Sequence, residues 1–362
     1  MAAFLDVLRY IWRTFFIIVN NFYCIPAYVV WLWLLTPVYL LCPDVYYAWE
    51  GILFEWLLAQ VAVWSWSAGY HVYEMGDDVS DILQEKTLLM ANHQSTSDVP
   101  LMMNYFTSKR GTTRHVMWIM DKLFKFTNFG LVSVHHGDFF IVSGKDERNA
   151  SLSLLREHLS TTYKVRDRKW LILFPEGGFL RKRREMSQRY AEKNGLPVLE
   201  HVALPRVGAL EVVLETLHSG SKLKNNLSKQ GATNLEGIQW IVDLTIGYQE
   251  AKPLDLGVIV TGAHPPCKIV FHFQRFHIDE VPSDQEGLTK WIINLYAEKE
   301  KLLRQFYETG AFPKPVENLN WKVIPTPRLV KHNLLYFIVL HLFYIFSTVL
   351  QWKLFQWLWS FL

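Results

Sequence analysis

The chain has 362 residues, which is enough for one large domain or two ordinary ones. Hydrophobic residues make up 50% and aromatic residues 15% of it, and this composition excludes an intrinsically disordered chain. The net charge of +3 indicates no particular partner, and three cysteines without paired spacing predict neither a disulfide framework nor a zinc site. These cysteines, Cys24, Cys42 and Cys267, fit a reducing, cytosolic environment.

The N-terminal part of the chain is strongly apolar. The stretch 15–35 carries no charge, and at about 1.5 Å per helical residue it can cross a hydrocarbon core of roughly 30 Å. Pro26 and two asparagines interrupt it, so a kinked or re-entrant helix is an alternative. The next apolar stretch, 46–70, is rich in Trp but contains polar residues, which favour a helix lying on the membrane or packed in protein. These polar residues are Glu50, Glu55 and Gln60.

Both ends of the chain therefore suggest membrane contact. Because the N-terminus lacks the features of a cleaved secretory signal, residues 1–70 are predicted to form a retained membrane anchor with interfacial helices. Near the C-terminus, 334–350 is apolar and follows three basic residues, so the positive-inside tendency places the residues before it in the cytosol. We predict a C-terminal transmembrane segment over 321–362. Two buried core helices are the alternative, since the apolar run is near the short limit for a span. The basic residues are Lys322, Arg328 and Lys331.

The middle of the chain, 71–320, has the pattern of an α/β domain. Short apolar runs rich in β-forming residues alternate with polar, helix-compatible stretches, which predicts a mixed sheet flanked by helices. Helical spacing occurs over 152–159, and the polar stretch 218–237 is predicted to be a surface loop. The sequence has no Gly-rich nucleotide fingerprint, so hydride transfer is not predicted, and neither is a nucleic-acid partner. The predicted strands are 87–92, 131–135, 170–174 and 268–276.

The stretch "MANHQSTSDVP" places His93 and Asp98 five positions apart. On one straight helix they would lie some 140° apart, so they could not face each other. They can meet if His93 follows the strand and Asp98 lies in the first turn of the next helix, where Ser95 to Ser97 are good caps. Asp98 would then fix the imidazole tautomer and leave the other ring nitrogen as a base. The alternative is an ordinary turn in which both side chains satisfy backbone groups.

A second motif favours a catalytic role for the pair of His93 and Asp98. "LILFPEGGFLRKRRE" places Glu176 and two glycines directly after a predicted strand, followed by four cations over 181–184. Glycine allows a close approach of the backbone, and guanidinium groups match phosphate oxygens in pairs. A solvated face or a seat for anionic headgroups would show the same charge pattern. Since no Ser or Cys lies in a G-x-S-x-G elbow, the base is predicted to activate the hydroxyl of the substrate itself.

At these residues the sequence resembles the glycerophospholipid acyltransferase family, which includes lysophospholipid and 1-acylglycerol-3-phosphate acyltransferases. The resemblance covers most of the chain, and it shows in four ordered blocks. The family pattern N-H-x-x-x-x-D is matched by Asn92, His93 and Asp98, and F-P-E-G by 174–177. Gly137 and Phe140 lie in "GDFFIVS", a partial match to G-x-x-F-I-x-R, and Pro205 lies in the proline-bearing block "HVALPRVGA".

The sequence departs from the family pattern at a few positions. Ser143 stands where the family usually has arginine, although Lys145 is close by. Gly178 replaces the usual threonine after F-P-E-G, and the arginine that normally follows is displaced to Arg181.

The resemblance implies the glycerolipid acyltransferase fold and the transfer of an acyl group from acyl-CoA to a hydroxyl of a lysophospholipid. Lysophosphatidylglycerol is the expected acceptor, and lysophosphatidylethanolamine, lysophosphatidylcholine or a monoacylglycerol remain open. His93 would be the general base and Asp98 its orienting partner. Glu176, Gly177, Gly178 and Arg181 are expected to hold the acceptor phosphate, with Glu176 orienting a cation or the turn. Gly137, Phe140 and Pro205 complete the expected substrate-binding set.

The resemblance also implies the environment of the enzyme. Acyl-CoA is a co-substrate, no cofactor is expected, and membrane lipids surround an integral protein of the endoplasmic reticulum whose catalytic domain faces the cytosol. Two other functions remain open: a catalytically silent lipid-binding membrane protein of the same fold, and an acyl-CoA hydrolase. His115, His135 and His136 lack carboxylate or Cys at metal-site spacing, so no metal site is predicted. "VHHGD" is predicted to end a strand, and His272 and His277 to mark a strand surface.

Overall fold

The computed structural model describes residues 2–142, 147–217 and 237–361. Ser143, Lys145 and nearly all of the predicted loop 218–237 lie outside these ranges. The helices are α1 (Ala2–Leu34), α2 (Thr36–Leu41), α3 (Pro43–Ser67), α4 (Asp98–Ser108), α5 (Asn128–His136), α6 (Arg148–His158), α7 (Leu180–Asn194), α8 (Val207–Leu217), α9 (Leu256–Thr261), α10 (Gln285–Thr309) and α11 (Leu334–Trp359). The strands are β1 (Tyr70–Asp77), β2 (Thr87–Ala91), β3 (Val116–Asp121), β4 (Phe139–Ile141), β5 (Trp170–Leu173), β6 (Trp240–Tyr248), β7 (Cys267–His277) and β8 (Val323–Leu329).

These strands form one mixed sheet in the order β4-β3-β5-β2-β6-β7-β1-β8, which confirms the predicted fold class. The five strands from β4 to β6 in this order are parallel to one another, whereas β7 and β1 run in the opposite direction. The carboxyl ends of β2, β3, β4, β5 and β6 therefore meet at one edge of the sheet. In open α/β sheets this edge is where ligands bind.

The central strands are apolar on both faces because helices cover both faces of the sheet. All five residues of β2 and all four of β5 are buried. Leu89 and Ile172 belong to the core that α3 and α4 complete, whereas Leu88 and Leu171 belong to the core completed by α6, α8 and α10. The sheet is thus a rigid layer whose strand ends can hold side chains in fixed positions.

The helix α3 packs into the protein core. Of the two alternatives predicted from its polar residues, a helix on the membrane or one packed in protein, the structure has the second. Glu50, Glu55 and Gln60 are all buried. Glu55 Oε2 accepts a hydrogen bond from Arg114 Nε at 2.8 Å. Glu50 Oε1 lies 2.7 Å from His136 Nδ1, and its Oε2 lies 3.3 Å from Arg168 Nη2. Burial acts to raise the pKa of Glu50, but His136 and Arg168 outweigh it and lower that pKa to about 2.

Three predictions about individual segments were wrong. The stretch 131–135 is part of helix α5 and not a strand, because Thr127 caps the helix start and a left-handed Gly137 ends it. "VHHGD" is therefore the end of a helix. His272 on β7 is buried, since α10 covers that face of the sheet, and it does not mark a surface.

The two terminal helices are the most apolar elements of the protein. Both α1, over Phe4–Leu34, and α11, over Leu334–Trp359, are long and apolar enough to cross a membrane by length and composition. They contact each other along much of their length, and Pro26 is accommodated inside α1 without ending it. The predicted boundary at residue 320 differs from the structure, because β8 pairs with β1 and so extends the sheet to Leu329.

A buried ion pair connects α10 to the sheet. Lys299 Nζ lies 3.0 Å from Asp243 Oδ1 and donates a hydrogen bond to the Leu244 carbonyl at 2.6 Å, and both charged residues are almost completely inaccessible to solvent. Burial lowers the pKa of Lys299 and raises that of Asp243, so each charge depends on the other. The pair fixes α10 against β6, next to the edge where the parallel strands end.

Lys299→Met is expected to destabilise the protein by about 3–5 kcal/mol, because it leaves the Asp243 carboxylate buried without a counter-charge. The melting temperature of the purified protein in detergent measures this loss. The matched double variant Lys299→Met with Asp243→Val removes both charges and should recover most of the stability. A single variant that melts like the parent protein would contradict this role of the pair.

Candidate active site

The side chain of Asn92 fixes the position at which the chain leaves the sheet after β2. Its Oδ1 accepts the Ile246 backbone N–H at 2.7 Å, and its Nδ2 donates to the Ile246 carbonyl at 3.2 Å. These two bonds continue the β2–β6 pairing, which ends in the backbone at Ala91. His93 is therefore held at the carboxyl edge of the sheet by backbone-like contacts of the preceding residue with β6.

His93 and Asp98 form the predicted pair. Nδ1 of His93 lies 2.9 Å from Oδ2 of Asp98, and Asp98 is the first residue of α4. The Asp98 side chain is fully buried, whereas 12% of the His93 side chain is exposed. The same Oδ2 accepts the backbone N–H groups of Gln94 and Ser95 at 2.8 and 2.9 Å. The carboxylate thus orients the ring and leaves Nε2 as the nitrogen that can accept a proton.

Tyr248 is a third member of this group that the sequence analysis missed. Its hydroxyl donates a short hydrogen bond to the second oxygen of Asp98, Oδ1, and lies 2.8 Å from Ser97 Oγ. Burial raises the pKa of Tyr248 well above its usual value, as does the Asp98 charge, so the phenol stays protonated and remains a donor. Tyr248 is the last residue of β6, the neighbour of β2, and only the strand order brings it to Asp98.

The F-P-E-G turn follows β5, the other neighbour of β2, and encloses the imidazole. The ring of His93 stacks on Phe174 with 4.1 Å between ring centroids, and Phe179 lies at 4.3 Å on a tilted plane. The Leu180 N–H donates to the His93 carbonyl at 2.8 Å. The two parts of the motif, separated by more than 80 residues in the chain, are therefore in direct contact around one ring.

The carboxyl group of Glu176 points into the protein, where it holds neighbouring turns together. Its Oε1 accepts the backbone N–H of His93 at 2.9 Å, and its Oε2 accepts that of Ala203 at 3.0 Å. Burial raises the pKa of Glu176 to about 8, against the opposing effect of these two donors. Of the two roles expected for this residue, the geometry agrees with orientation of the turn. The carboxyl group joins three loops, those before α4, α7 and α8.

Two guanidinium groups flank the glycines of the turn. Gly177 and Gly178 have positive φ values of 67° and 153°, which side-chain-bearing residues rarely adopt. A Cβ on Gly177 would lie 3.2 Å from Arg206 Cδ, and one on Gly178 would lie 3.0 Å from Arg183 Nε. Nη2 of Arg183 also donates to the Gly177 carbonyl at 2.7 Å. The absence of side chains at both glycines therefore allows the two arginines to lie against the turn.

The structure differs from the expected substrate-binding set at other positions. Arg181 is exposed, and because it precedes Arg183 by two residues in α7 it points some 200° away around the helix axis. Pro205 lies close to the turn, since the next residue, Arg206, donates its N–H to the Pro175 carbonyl at 2.8 Å. Arg206 itself was not predicted, although it directly follows the proline of the fourth motif.

Gly137 and Phe140 are not brought to this group of residues. Gly137 ends α5, and Phe140 is half-buried on β4, the edge strand of the sheet. Two strands separate β4 from β2, so the two strands lie about 14 Å apart at the usual spacing between strands. A substrate-binding role of Gly137 and Phe140 stays a prediction, and Ser143 lies outside the described residues.

One cluster of described residues has metal-ligand geometry. The ligand atoms of Glu200, His201 and Glu300 lie within 4.8 Å of one another. Oε2 of Glu300, however, accepts the backbone N–H groups of Glu200 and His201 at 3.0 and 2.7 Å, which accounts for the position of this carboxylate. The three histidines considered from sequence lie elsewhere: His136 contacts Glu50, and His115 and His135 contact backbone carbonyls.

Comparison with known proteins agrees with the geometry. Residues 73–217 match the family model described as acyltransferase, and residues 259–338 match the acyltransferase C-terminus. The chain is 43% identical to acyl-CoA:lysophosphatidylglycerol acyltransferase 1 of Mus musculus, over 85% of this chain and 84% of the mouse chain. It is 44% identical to the Homo sapiens protein of the same name, over 83% and 82% of the two chains. Lysocardiolipin acyltransferase 1 of Danio rerio is 28% identical, over 76% and 66%.

The turn after β2 and the F-P-E-G turn meet around His93, and the two family models together match most of the sequence between the terminal helices. The relatives extend this match to more than four fifths of the chain. The chain is an enzyme of the acyltransferase class, and it belongs to the glycerophospholipid acyltransferase family.

Proposed function

We propose that this protein transfers a fatty acyl group from acyl-CoA to the free hydroxyl of a lysophospholipid, with His93 as the general base. The observation that supports this proposal is the 2.9 Å contact between His93 Nδ1 and a fully buried Asp98 at the ligand-binding edge of the sheet. A histidine that only satisfied backbone groups would not need a carboxylate held by two N–H groups and a phenol.

In the proposed reaction, Nε2 of His93 takes the proton of the acceptor hydroxyl as its oxygen attacks the thioester carbonyl. A carbon–oxygen bond forms, the carbon–sulfur bond breaks, and CoA leaves as a thiolate or takes the proton back from the imidazolium. Asp98 stabilises the imidazolium in the intermediate state and keeps its orientation. No covalent acyl-enzyme is required, so the reaction needs no protein nucleophile.

The acceptor phosphate is proposed to bind at the glycine turn. Arg183 and Arg206 both lie against Gly177 and Gly178, next to the aromatic residues that surround His93. Guanidinium groups bind phosphate oxygens in pairs, and this arrangement favours Arg183 and Arg206 over the outward-pointing Arg181. The acceptor hydroxyl of a lysophospholipid lies only a few bonds from its phosphate, so an anion site beside the base suits this substrate.

The acceptor and the location follow from the relatives and from the composition of the chain. Two relatives above 40% identity are named for lysophosphatidylglycerol, and we propose the same acceptor here. We further propose an endoplasmic reticulum membrane with the catalytic domain facing the cytosol. Free Cys24, Cys42 and Cys267 fit that reducing side, and the apolar terminal helices bring the enzyme to its lipid substrates.

The central test uses microsomes that carry the protein, labelled acyl-CoA and a panel of lysophospholipids. His93→Ala should reduce product formation by about 10²–10⁴-fold, because it removes general-base catalysis. His277→Ala is the matched control, since His277 pairs with Trp240 at the opposite edge of the sheet. Acceptor-independent release of free fatty acid would favour a hydrolase, and no turnover with any acceptor would favour a lipid-binding protein.

Glu176→Gln is expected to impair the site without removing any catalytic group. The amide nitrogen would face one of the two N–H donors that the carboxyl group now accepts, and leaving such a buried donor unsatisfied costs about 1–3 kcal/mol. A lower melting temperature and a lower kcat should therefore appear together. The control is Glu185→Gln, at an exposed position of α7. An unchanged melting temperature for Glu176→Gln would exclude the proposed function of this side chain in holding the loops.

Arg183→Ala and Arg206→Ala are expected to raise the KM for the lysophospholipid by about 10–100-fold each, because each loses a charged hydrogen bond worth about 1.5–3 kcal/mol. Initial rates at varied acceptor and saturating acyl-CoA measure this effect. Arg189→Ala, on an exposed part of the same helix, provides the control. If Arg181→Ala raised the KM more than either variant, the phosphate would bind on the other face of α7.

A further inference from the structure

The terminal helix α1 contacts the sheet domain near both of its ends. Near its start, Arg9 donates to the Gly262 carbonyl at 3.3 Å, beside α9. Near its end, the Tyr28 hydroxyl donates to Glu50 Oε1 at 3.0 Å. That glutamate in turn contacts His136, which lies at the end of α5 in the folded domain.

These contacts fix the direction of α1 relative to the domain. The α-helix extends over about 28 Å from Arg9 to Tyr28, close to the roughly 30 Å thickness of a hydrocarbon core. If α1 crossed a bilayer, the domain that contacts it along this length would lie at the same depth. Its charged surface would then be in hydrocarbon, which is prohibitively unfavourable. The domain can contact both ends of α1 in water only if the helix lies along the membrane surface.

The helix α11 runs parallel to α1, and this direction is also incompatible with two membrane spans. Phe16 stacks on His341, Thr348 donates to the Tyr23 carbonyl at 3.1 Å, and Gln351 donates to the Ala27 carbonyl at 3.1 Å. Residue numbers thus rise together along the two helices from Phe16 to Ala27, beyond which the Trp31 side chain reaches back to Ser347 at 3.0 Å. Two spans that precede and follow a domain on one side of a membrane must run in opposite directions, as long as no third span lies between them.

The helix α3 does not supply such a third span. Its Glu50 and Glu55 form ion pairs with Arg168 and Arg114 of the domain, and most of its residues between Glu50 and Ser65 are buried. Tyr344 of α11 donates to the Leu53 carbonyl at 2.9 Å, so α11 packs on the outer side of α3, as α1 does. The order of layers is therefore sheet, then α3, then α1 and α11 side by side.

The outer faces of α1 and α11 are apolar and exposed. Over 4–22 and 335–349, exposed large apolar residues recur every three or four positions, as expected when one stripe contacts lipid. The last turns of α11 are exposed on all sides. On α1 they include Phe4, Leu8, Ile11, Phe15, Ile18 and Phe22, and on α11 Leu335, Ile338, Leu342, Phe346 and Val349. Trp12 and Trp352 are also exposed, and Trp is the residue type enriched where a protein meets the bilayer interface.

We propose that α1 and α11 lie flat in one leaflet of a lipid bilayer, with these outer faces forming a single membrane-binding surface, and that neither helix crosses to the other side. The partner is the lipid surface itself. The domain is then attached through α3, and both ends of the chain remain on the side of the catalytic domain. This mode of attachment is independent of which acyl acceptor the enzyme uses.

Depth measurements on the full-length protein test the proposal. Spin labels are placed at Leu8→Cys, Phe15→Cys and Phe22→Cys, one at a time, in a background with Cys42→Ser and Cys267→Ser, and the protein is inserted into vesicles of phosphatidylcholine and phosphatidylglycerol. These positions face outward and lie about 21 Å apart along the helix in total. Flat helices place all three labels at one depth, within about 5 Å, whereas a span places the labels at clearly different depths.

The same measurement at Leu335→Cys, Leu342→Cys and Val349→Cys tests α11. Ile17→Cys is the inward-facing control, because Ile17 is buried against the core and its label should contact neither lipid nor water. Protease treatment of sealed microsomes gives a second readout, in which tags at both termini should be digested without detergent. A tag protected until detergent is added, a depth gradient along either helix, or outward labels in water would each overturn the proposal. Acyl transfer is assayed separately, so failure of the proposed function would not affect this result.

Discussion

The position of the Asp98 carboxylate determines how the rest of the site can be built. A fully buried carboxylate is tolerated only when hydrogen-bond donors surround it, and here the donors are the imidazole, two backbone N–H groups and the Tyr248 hydroxyl. The backbone donors require the tight turn after His93. The phenol requires that β6 lie directly beside β2, and so the strand order is part of the chemistry.

The carboxyl groups and the guanidinium groups of this site lie on different sides of the glycine turn. The carboxyl groups of Asp98 and Glu176 point into the protein, where backbone N–H groups occupy their oxygens. The guanidinium groups of Arg183 and Arg206 lie around the glycine turn on its other side. In the proposed reaction, the two guanidinium groups would meet the phosphate of the acceptor, while the carboxyl oxygens of Asp98 and Glu176 stay occupied by their donors.

The apolar helices and the catalytic edge are coupled through α3. This helix is at the same time a core element, packed on the sheet, and the support on which α1 and α11 lie. Its buried glutamates fix it to the domain, since an unpaired carboxylate at Glu50 or Glu55 would strongly destabilise the fold. The proposed membrane-binding surface is thereby attached rigidly to the layer that carries His93, which would keep the imidazole at a constant height above the lipid.

The sequence by itself determined the elements whose signal is local. Parallel strands such as β2 and β5 are apolar on both faces and could be identified directly. The spacing of His93 and Asp98 excludes contact on one straight helix and allows it across a strand–helix junction. The sequence did not determine α5, because alternating β-branched residues over 131–135 match a strand as well as a short helix, and only the caps at Thr127 and Gly137 decide between them.

The tertiary structure alone decided which distant residues meet. Tyr248 reaches Asp98, and Arg206 reaches the glycine turn, through strand order and loop packing that leave no periodic trace in the sequence. The directions in which α1 and α11 run relative to the domain were likewise decided by tertiary contacts. Composition shows that a helix prefers lipid, but whether it crosses a membrane or lies on one depends on what packs against its other face.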